Sequence, residues 1–148
     1  MLYIQLMAET INEQARQVVA TCLGYRTRRL ARIVTRVYND SLRPLGLNIT
    51  EMNLLAAIAA QRSVQPAKLG QAMELEKSTL SRNSSRLVDK GWVELRDHPD
   101  GRGVLLVLSA EGNQMLLRAV PAWKQAQQRA RSLVAEALPE LGVGDEGS

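Results

Sequence analysis

The chain has 148 residues, of which 45% are hydrophobic and 3% aromatic, and its formal net charge is +4. This length and apolar content exclude a disordered chain and predict a single domain, residues 1–148, with a core of aliphatic side chains. A pI near 9.6 favours an anionic partner, although a solvated, arginine-rich surface fits the composition equally well.

The number of cysteines and the length of the apolar stretches exclude several classes of site. Cys22 is the single cysteine, so the sequence predicts neither an internal disulfide nor a cysteine-rich zinc site. The amino-terminal stretch does not have the pattern of a signal peptide, and no apolar stretch approaches the ~20 residues that a membrane helix needs. We expect a cytoplasmic protein with no metal, no other cofactor and no membrane contact.

Residues 10–42 predict one long amphipathic helix. Its apolar residues recur every three or four positions from Ile11 to Val37, with a weak point at Gly24. Proline and glycine then end the helix. Its other face carries an arginine run that suits an anionic aromatic ligand, although such a run is more often a solvated helix face. These arginines are Arg26, Arg28, Arg29 and Arg32.

Three short helices are predicted next. Thr50 is a favourable N-cap for the first, which ends near Gln61, and Pro66 takes the tolerated first position of the second. The third follows a link of about four residues and ends at Gly91. Two short helices joined by so tight a link have the shape of a helix-turn-helix.

The hydrophobic pattern changes its period after Gly91. Residues 92–97 alternate as a half-buried strand does, with Val93 and Leu95 on the inner face, and residues 104–108 favour a second strand. The Pro-Asp-Gly sequence between them predicts a turn. We therefore expect a β-hairpin.

The last predicted helix begins after Ser109, its N-cap, and is expected to kink at Pro121. The two terminal helices, 10–42 and 110–141, carry apolar stripes longer than the elements between them can cover. We therefore expect a homodimer in which these helices of one chain pack against those of another. Residues 142–148 are predicted to be a disordered tail.

The third short helix has an unusual exposed face. Serine and threonine are poor helix formers because their hydroxyls compete for nearby backbone groups. Short hydroxyls do let a helix backbone approach phosphates and base edges, and an arginine such as Arg82 can donate two hydrogen bonds to guanine. The amides at the helix N-terminus favour a phosphate. The pattern predicts a helix that reads DNA, with a solvated, weakly helical segment as the alternative. The candidate DNA contacts on it are Lys77, Ser78, Thr79, Ser81, Arg82, Ser85 and Arg86.

The predicted hairpin supports DNA reading. An arginine at a hairpin tip can enter a narrow, electronegative minor groove, and Arg102 is the candidate here. Arg102 can instead pair with Asp97 or Asp100. The two interpretations are compatible if a carboxylate orients the guanidinium.

The segment LEKSTLSRNSSRLVDKGWVELRDHPDGRGVLLVLSAEG resembles the MarR family of bacterial winged-helix regulators. The matching motifs are S-T-x-S-R in the reading helix, R-D-x-x-D-G-R in the hairpin and L-S-x-x-G at the next helix. The similarity extends from about Thr21 to Leu117. It implies a mainly α fold with a small β-hairpin wing, in which residues 48–109 form a winged helix-turn-helix and the terminal helices form a dimer.

The resemblance also implies a function. Members of this family bind pseudo-palindromic operators as homodimers, usually repress transcription, and are released by a small ligand or by thiol oxidation. Carried over by position, the reading helix supplies Ser78, Thr79, Ser81 and Arg82, and the wing supplies Arg102. The pair His98-Pro99 departs from the family, which more often has a second charged residue there.

An enzyme and a module that binds RNA or protein are the two other classes of function. The single histidine, His98, lies on a predicted loop without a nucleophile to partner it, and no phosphate loop or metal-spaced cluster occurs, so we expect no enzymatic activity. A winged-helix module that binds RNA or protein is the remaining alternative. Salt-dependent, sequence-selective binding of duplex DNA separates the two.

The signal that releases DNA has two candidates. Cys22 lies near the start of the first helix, where some family members sense peroxides, and Tyr25 and Tyr38 are candidate hydroxyl partners for a thiolate. Cys22 also lies on the apolar stripe, where cysteine commonly acts as a small hydrophobe. We favour a structural cysteine and a small aromatic or lipophilic effector, with a peroxide sensor as the alternative. The resemblance implies that the effector lies between the dimerisation helices and the DNA-reading region.

Overall fold

The computed structural model describes residues 1–142 and divides them into two compact units. The first unit contains residues 1–37 and 128–142, and the second contains residues 38–127. The expectation of a single domain stays a prediction. The predicted disordered tail lies, from residue 143 onward, outside the described residues.

The described part contains six α-helices and one two-stranded sheet. The helices are α1 (Leu2–Thr21), α2 (Leu23–Leu42), α3 (Ile49–Gln61), α4 (Pro66–Ala72), α5 (Lys77–Asp89) and α6 (Ala110–Ala137). Strands β1 (Val93–Asp97) and β2 (Val104–Leu108) form an antiparallel hairpin, and short 3-10 turns follow α2 and α6. The predicted fold class, mainly α with a small β-hairpin wing, is confirmed.

The single amino-terminal helix predicted over residues 10–42 is wrong, because α1 and α2 are separate helices. Cys22 between them has an extended backbone (φ −61°, ψ 109°), which ends α1 at Thr21. Gly24, the predicted weak point, lies inside α2. The pattern did not reveal the break, since residue 22 stays in phase with the apolar positions on both sides. The first helix also begins earlier than predicted, at Leu2.

The core of the second unit lies where α3, α4 and α5 meet the hairpin and the first half of α6. Its fully buried side chains are Leu42, Leu54, Leu55, Ile58, Leu69, Leu87, Val93 and Leu106. Each such side chain contributes about 1.5–3 kcal/mol when it leaves water. Trp92 and Trp123 pack against this cluster from its edge. The core is aliphatic, as the composition predicts.

The start of α3 is fixed by a capping box that begins at Asn48. The Asn48 side chain accepts a hydrogen bond from the Glu51 amide at 2.8 Å, and the Asn48 amide donates to the Glu51 carboxylate at 3.2 Å. The predicted N-cap, Thr50, is therefore wrong, and it lies inside the helix. An asparagine followed three residues later by glutamate is a stronger start signal than a lone threonine.

Only the base of the hairpin packs against the core. Val93, at its base, is buried, whereas Leu95 is 56% exposed, so the prediction that both face inward is wrong for Leu95. Alternation does place the two on one face of the strand, but only the base of the hairpin lies over the core. Val64 adds a short bridge to Leu106 on the other side of β2.

Helix α6 begins at the predicted N-cap. The Ser109 hydroxyl accepts a hydrogen bond from the Gly112 amide at 3.0 Å, which confirms its capping role. The helix continues through Pro121, and the expected kink there stays a prediction. Its most buried side chains beyond the first turns are small: Ala119, Ala126 and Ala130.

Candidate nucleic-acid interface

Helix α5 carries most of the predicted DNA contacts, and α4 holds it in place. The two helices are joined by a turn in which Glu74 adopts a left-handed backbone, with φ 52°. The Leu75 amide donates to the Gly70 carbonyl at 3.0 Å, which closes the end of α4. A Cβ atom on Gly70 would lie 3.1 Å from the Leu80 side chain, so the glycine allows α5 to pack closely on α4.

One face of α5 packs against the core. Leu80, Asn83 and Leu87 are buried on it, and Ser84 is half-buried. The Asn83 side-chain Nδ2 donates to the Thr79 carbonyl at 2.8 Å. This local hydrogen bond satisfies a polar group that a hydrophobic pattern places outside, which is why sequence reasoning missed it.

The other face of α5 is exposed except at Thr79. Thr79 is half-buried, and the remaining candidates are exposed: Lys77, Ser78, Ser81, Arg82, Ser85 and Arg86. The helix has no side-chain N-cap, so its first amides have no side-chain partner in the described structure. An anion is favoured at such a helix start, because the amides and the helix dipole both attract it.

The carboxyl end of α5 is fixed by Lys90, a residue that the sequence analysis did not single out. Its ammonium lies 3.1 Å from the nearly buried Glu51 carboxylate and donates to the Gly46 carbonyl at 2.7 Å. It also lies 4.9 Å from the centre of the Trp92 ring. Lys90 thus connects the end of α5 to the start of α3. No short sequence pattern links residues 51 and 90.

The same end of α5 is bound to α6 through the L-S-x-x-G motif. The Ser109 hydroxyl donates to the Gly91 carbonyl at 2.5 Å, and the Ser109 amide donates to the Trp92 carbonyl at 3.1 Å. A Cβ atom on Gly112 would lie 1.9 Å from the Trp92 carbonyl oxygen. Only glycine permits this approach of α6, so the motif fixes the angle at which the chain leaves α5.

The wing tip is a tight turn that leaves its arginine exposed. The His98 amide donates to the Gly103 carbonyl at 2.9 Å, and Gly101 and Gly103 both have positive φ angles. Within residues 1–142, Arg102 forms no ion pair, with Asp97, Asp100 or any other carboxylate. Arg102 is available to a ligand.

A groove of about 1010 Å³ lies between α4, α5 and the hairpin. The candidate contacts Lys77, Ser81, Ser85 and Arg102 line it, so the structure brings helix and wing candidates to one surface. The exposed wing residue Leu95 contributes to its apolar lining. In the described part of the chain, Lys77, Arg82, Arg86 and Arg102 form no ion pairs.

Comparisons with known proteins identify this arrangement. A sequence model described as the MarR family matches residues 45–103, which include α3, α4, α5 and the wing tip. The transcriptional regulator MOSR of M. tuberculosis, solved in complex with DNA, is 32% identical, with a TM-score of 0.66 over 73% of this chain and 79% of that one. The chain belongs to the MarR family.

Other MarR proteins are also similar to this chain. The multiple antibiotic resistance protein MarR of Salmonella typhimurium is 33% identical over 78 residues, 52% of this chain and 54% of that protein. The chain therefore spans about half the length of the curated relatives it matches. A mutant MarR from E. coli, complexed with operator DNA, superposes with a TM-score of 0.70 at 26% identity, over 81% of this chain and 88% of that one.

The candidate redox residue of this MarR-family chain is half-buried at the junction of α1 and α2. The Cys22 amide donates to the Val18 carbonyl at 2.8 Å. The Tyr38 hydroxyl, one candidate partner for a thiolate, donates instead to the Gln127 side chain. The structural role predicted for Cys22 stays a prediction, with the redox role as its alternative.

Two arginines of α2, Arg26 and Arg29, lie beside carboxylates of the same unit. Arg26 lies 3.9 Å from the Glu140 carboxylate. The cleft of about 560 Å³ beside it is lined by Glu136 and Glu140 as well as by Arg26 and Arg29. Charges of both signs do not favour an anionic ligand there. Across residues 1–142 no cluster of histidine, cysteine and carboxylate residues suits a metal, and no helix is long and apolar enough to cross a membrane.

Proposed function

We propose that this chain is a dimeric, sequence-specific DNA-binding transcriptional regulator, a repressor in its usual action, of a pseudo-palindromic operator. One observation carries the proposal. Lys77, Arg82, Arg86 and Arg102 are exposed cations without ion pairs in the described structure, and they stand on a helix and a wing that flank one groove. Unpaired cations at this density suit a phosphate backbone. The DNA-bound relatives support the same function.

Residues on α5 and on the wing make different kinds of contact with the DNA. Arg82, in the second turn of α5, reaches a guanine edge in the major groove, because its side chain is exposed beside the short Ser81 and Ser85. Lys77 and the free amides at the start of α5 hold a phosphate. Arg102 enters the adjacent minor groove. Phosphate contacts position the protein, and Arg82 supplies the sequence preference.

The proposed partner in the dimer is a second copy of the chain. Helix α2 has large apolar side chains that are exposed in the single chain, among them Leu23 and Tyr25. A pseudo-palindromic operator requires two reading helices related by a two-fold axis, which a homodimer provides.

The proposed release signal is a small aromatic or lipophilic effector. The groove between α5 and the wing has the size and apolar lining of a ligand site, with Leu95 and Val104 exposed at its wing side. A ligand seated there occupies the space between Ser85 and Arg102 and changes the spacing between helix and wing. This location differs from the one that the family resemblance implies, so both are open to test. We infer that the protein works in the cytoplasm, where operator DNA lies, by binding and not by catalysis.

Selection of bound genomic fragments, followed by fluorescence anisotropy with the selected duplex, tests the function. Arg82→Ala is expected to lose about 1–3 kcal/mol of specific binding per half-site and to relax the preference at one base pair. Arg102→Ala is expected to weaken binding and reduce the salt slope by about 1.

Arg118→Ala is the matched control, because Arg118 is exposed on α6, outside the groove. It should bind as the unchanged protein does. Equal binding by all three variants, or preference for RNA over the selected duplex, would show that α5 and the wing do not read DNA.

The redox alternative is tested on the same duplex. Because Cys22 is the only cysteine, Cys22→Ser removes every thiol. We expect organic hydroperoxide to leave DNA binding unchanged in both proteins. Release of the unchanged protein alone, reversed by a thiol reductant, would identify Cys22 as the sensor.

A further inference from the structure

Helix α2 carries a row of arginines on the face opposite its packed side. Arg28, Arg32 and Arg36 recur every four residues, and all three are exposed. Because a helix rises 1.5 Å per residue, each lies about 6 Å further along the axis than the one before. These three residues form the arginine stripe.

No carboxylate neutralises the arginine stripe in the described structure. Residues 23–39 contain no aspartate or glutamate, and the next acidic residue, Asp40, pairs with Arg43 at 2.8 Å. Within residues 1–142 the arginines of the stripe form no ion pairs. Like charges four residues apart destabilise a helix. The stripe therefore lowers the stability of α2, and a partner of opposite charge would offset that loss.

The residues around the stripe leave its guanidinium groups accessible. A Cβ atom on Gly24 would lie 3.5 Å from a guanidinium nitrogen of Arg28, so the glycine gives this side chain room to lie along the helix. The neighbouring row holds Thr27, Ala31 and Thr35, which are short and exposed. An extended anion can thus come close to the arginines without meeting bulky side chains.

We propose that the arginine stripe is a second DNA-contact surface, which binds the phosphate backbone without regard to base sequence. The inference rests on the proposed function, since it takes duplex DNA as the partner. It adds a surface outside residues 45–103, the region that the family model matches.

The chemistry of the stripe suits phosphates. A guanidinium group donates two parallel hydrogen bonds to phosphate oxygens, which an ammonium group cannot do in the same fixed geometry. A duplex carries one negative charge for about every 1.7 Å of its axis, so a row of cations about 12 Å long meets several phosphates. Contacts of this kind add affinity that does not depend on sequence and hold the protein on DNA around its operator.

An anionic membrane is the other large anion that a basic helix suits. Helices that lie on membranes insert the apolar face opposite their cations into the lipid. In α2 that face is already covered in part, because Val37 is buried and Leu30 and Ile33 are half-buried in the single chain. Duplex DNA requires no such insertion and is therefore the better partner.

A second copy of α2 does not suit the stripe. A two-fold contact between two such faces would set arginine against arginine, and like charges across an interface oppose association. The stripe is thus distinct from the exposed apolar side chains of α2, Leu23 and Tyr25, that the proposed dimer uses.

The salt dependence of binding to a long duplex that lacks the selected sequence tests the stripe. The stripe variant combines Arg28→Gln, Arg32→Gln and Arg36→Gln in the full-length protein. Each phosphate contact contributes about 0.9 to the slope of log K against log salt, so the slope is expected to fall by about 2–3. Affinity at low salt is expected to fall at least about tenfold. Circular dichroism checks that the variant stays helical.

A matched control removes the same charge from another helix. Arg118→Gln, Arg129→Gln and Arg131→Gln together remove three exposed cations that are spread along α6. A lower net charge alone acts on both triple variants in the same way. Because these arginines are not proposed to contact DNA, the slope of the control is expected to change by less than about 0.5.

A third background separates the stripe from the reading surface. The double variant Arg82→Ala with Arg102→Ala removes proposed contacts of α5 and the wing. Adding the stripe variant to it should still lower the slope of the remaining binding by about 2–3. If α5 and the wing do not read DNA, this effect persists, so failure of the proposed function and failure of the stripe give different results.

Equal slopes for the stripe variant and the unchanged protein would overturn the proposal. An equal fall in both triple variants would also overturn it, because the effect would then come from net charge alone. Loss of binding to phosphatidylglycerol vesicles by the stripe variant, with an unchanged slope on DNA, would assign the stripe to a membrane instead.

Discussion

Helices α5 and α1 differ in how they are stabilised. Helix α5 has serine or threonine at five of its 13 positions, which weakens a helix, yet it is held by α4, by Lys90 and by the Ser109 contacts. Helix α1 is longer, with 20 residues, and has no buried residue. By helix propensity alone, α1 would be the more stable of the two helices and α5 the less stable.

The difference shows what each helix surface is for. Because α5 is anchored on one face and at its end, its other face is free to carry short hydroxyls and unpaired cations that would not stabilise an isolated helix. Helix α1 has no such anchors in the single chain, and its large apolar side chains stay exposed.

Gly112→Ala is expected to have the largest effect on stability. The added Cβ atom would lie 1.9 Å from the Trp92 carbonyl oxygen, so α6 must move away from the end of α5. We expect the free energy of unfolding to fall by about 3 kcal/mol in urea titrations, the upper range for overpacking. Glu111→Ala, at the exposed neighbouring position, is the control. A loss below about 1 kcal/mol would mean that the α5–α6 junction is not rigid.

Lys90→Met removes the cation that connects α5 to α3. The Glu51 carboxylate is nearly buried and would lose its ion-pair partner, so we expect a loss of about 2 kcal/mol in unfolding free energy. The double variant Glu51→Gln with Lys90→Met should recover part of this loss, because it leaves no buried charge. If the double variant is as unstable as the sum of the two single variants, the pair does not act as a unit.

The sequence could predict the elements whose signals are local. The hairpin follows from strand alternation around a Pro-Asp-Gly turn, and the start of α6 follows from Ser109 as an N-cap. The exposed face of α5 follows from its spacing of serines and arginines. In each case the residues that determine the structure lie within a few positions of one another.

The remaining features depend on contacts between residues that are distant in the sequence, or on a helix break that leaves the spacing of the apolar residues unchanged. The Glu51–Lys90 pair joins residues 39 positions apart. Asn83 is buried because a hydrogen bond to Thr79 satisfies its amide, whereas a pattern of apolar residues treats it as exposed. The break at Cys22 keeps the helical phase, so periodicity continues across it.

Glu74→Gly is expected to stabilise the turn between α4 and α5 by about 0.5 kcal/mol. Glu74 has φ 52°, a conformation that costs a non-glycine residue about 1 kcal/mol or more, partly offset by the greater freedom of glycine in the unfolded chain. Gln71→Gly, inside α4, is the control and should lose about 1 kcal/mol. If Glu74→Gly is also destabilising, the Glu74 side chain makes a contribution that outweighs the backbone strain.

Ser85→Ala distinguishes the effect of Ser85 on the stability of α5 from its proposed effect on DNA binding. Ser85 is exposed on α5 and lines the groove beside the wing, so alanine should raise the free energy of unfolding by about 0.4 kcal/mol through helix propensity. The same change removes a hydroxyl from the DNA-facing surface, and we expect affinity for the selected duplex to fall several-fold. Ser132→Ala on α6, far along the chain from the groove, is the control for propensity alone and should leave DNA binding unchanged. A gain in stability with no loss of affinity would show that the hydroxyl of Ser85 serves only to keep the surface of α5 small. Ser85→Gln would then weaken binding by bulk, whereas a contact made by the hydroxyl itself would already be lost in Ser85→Ala.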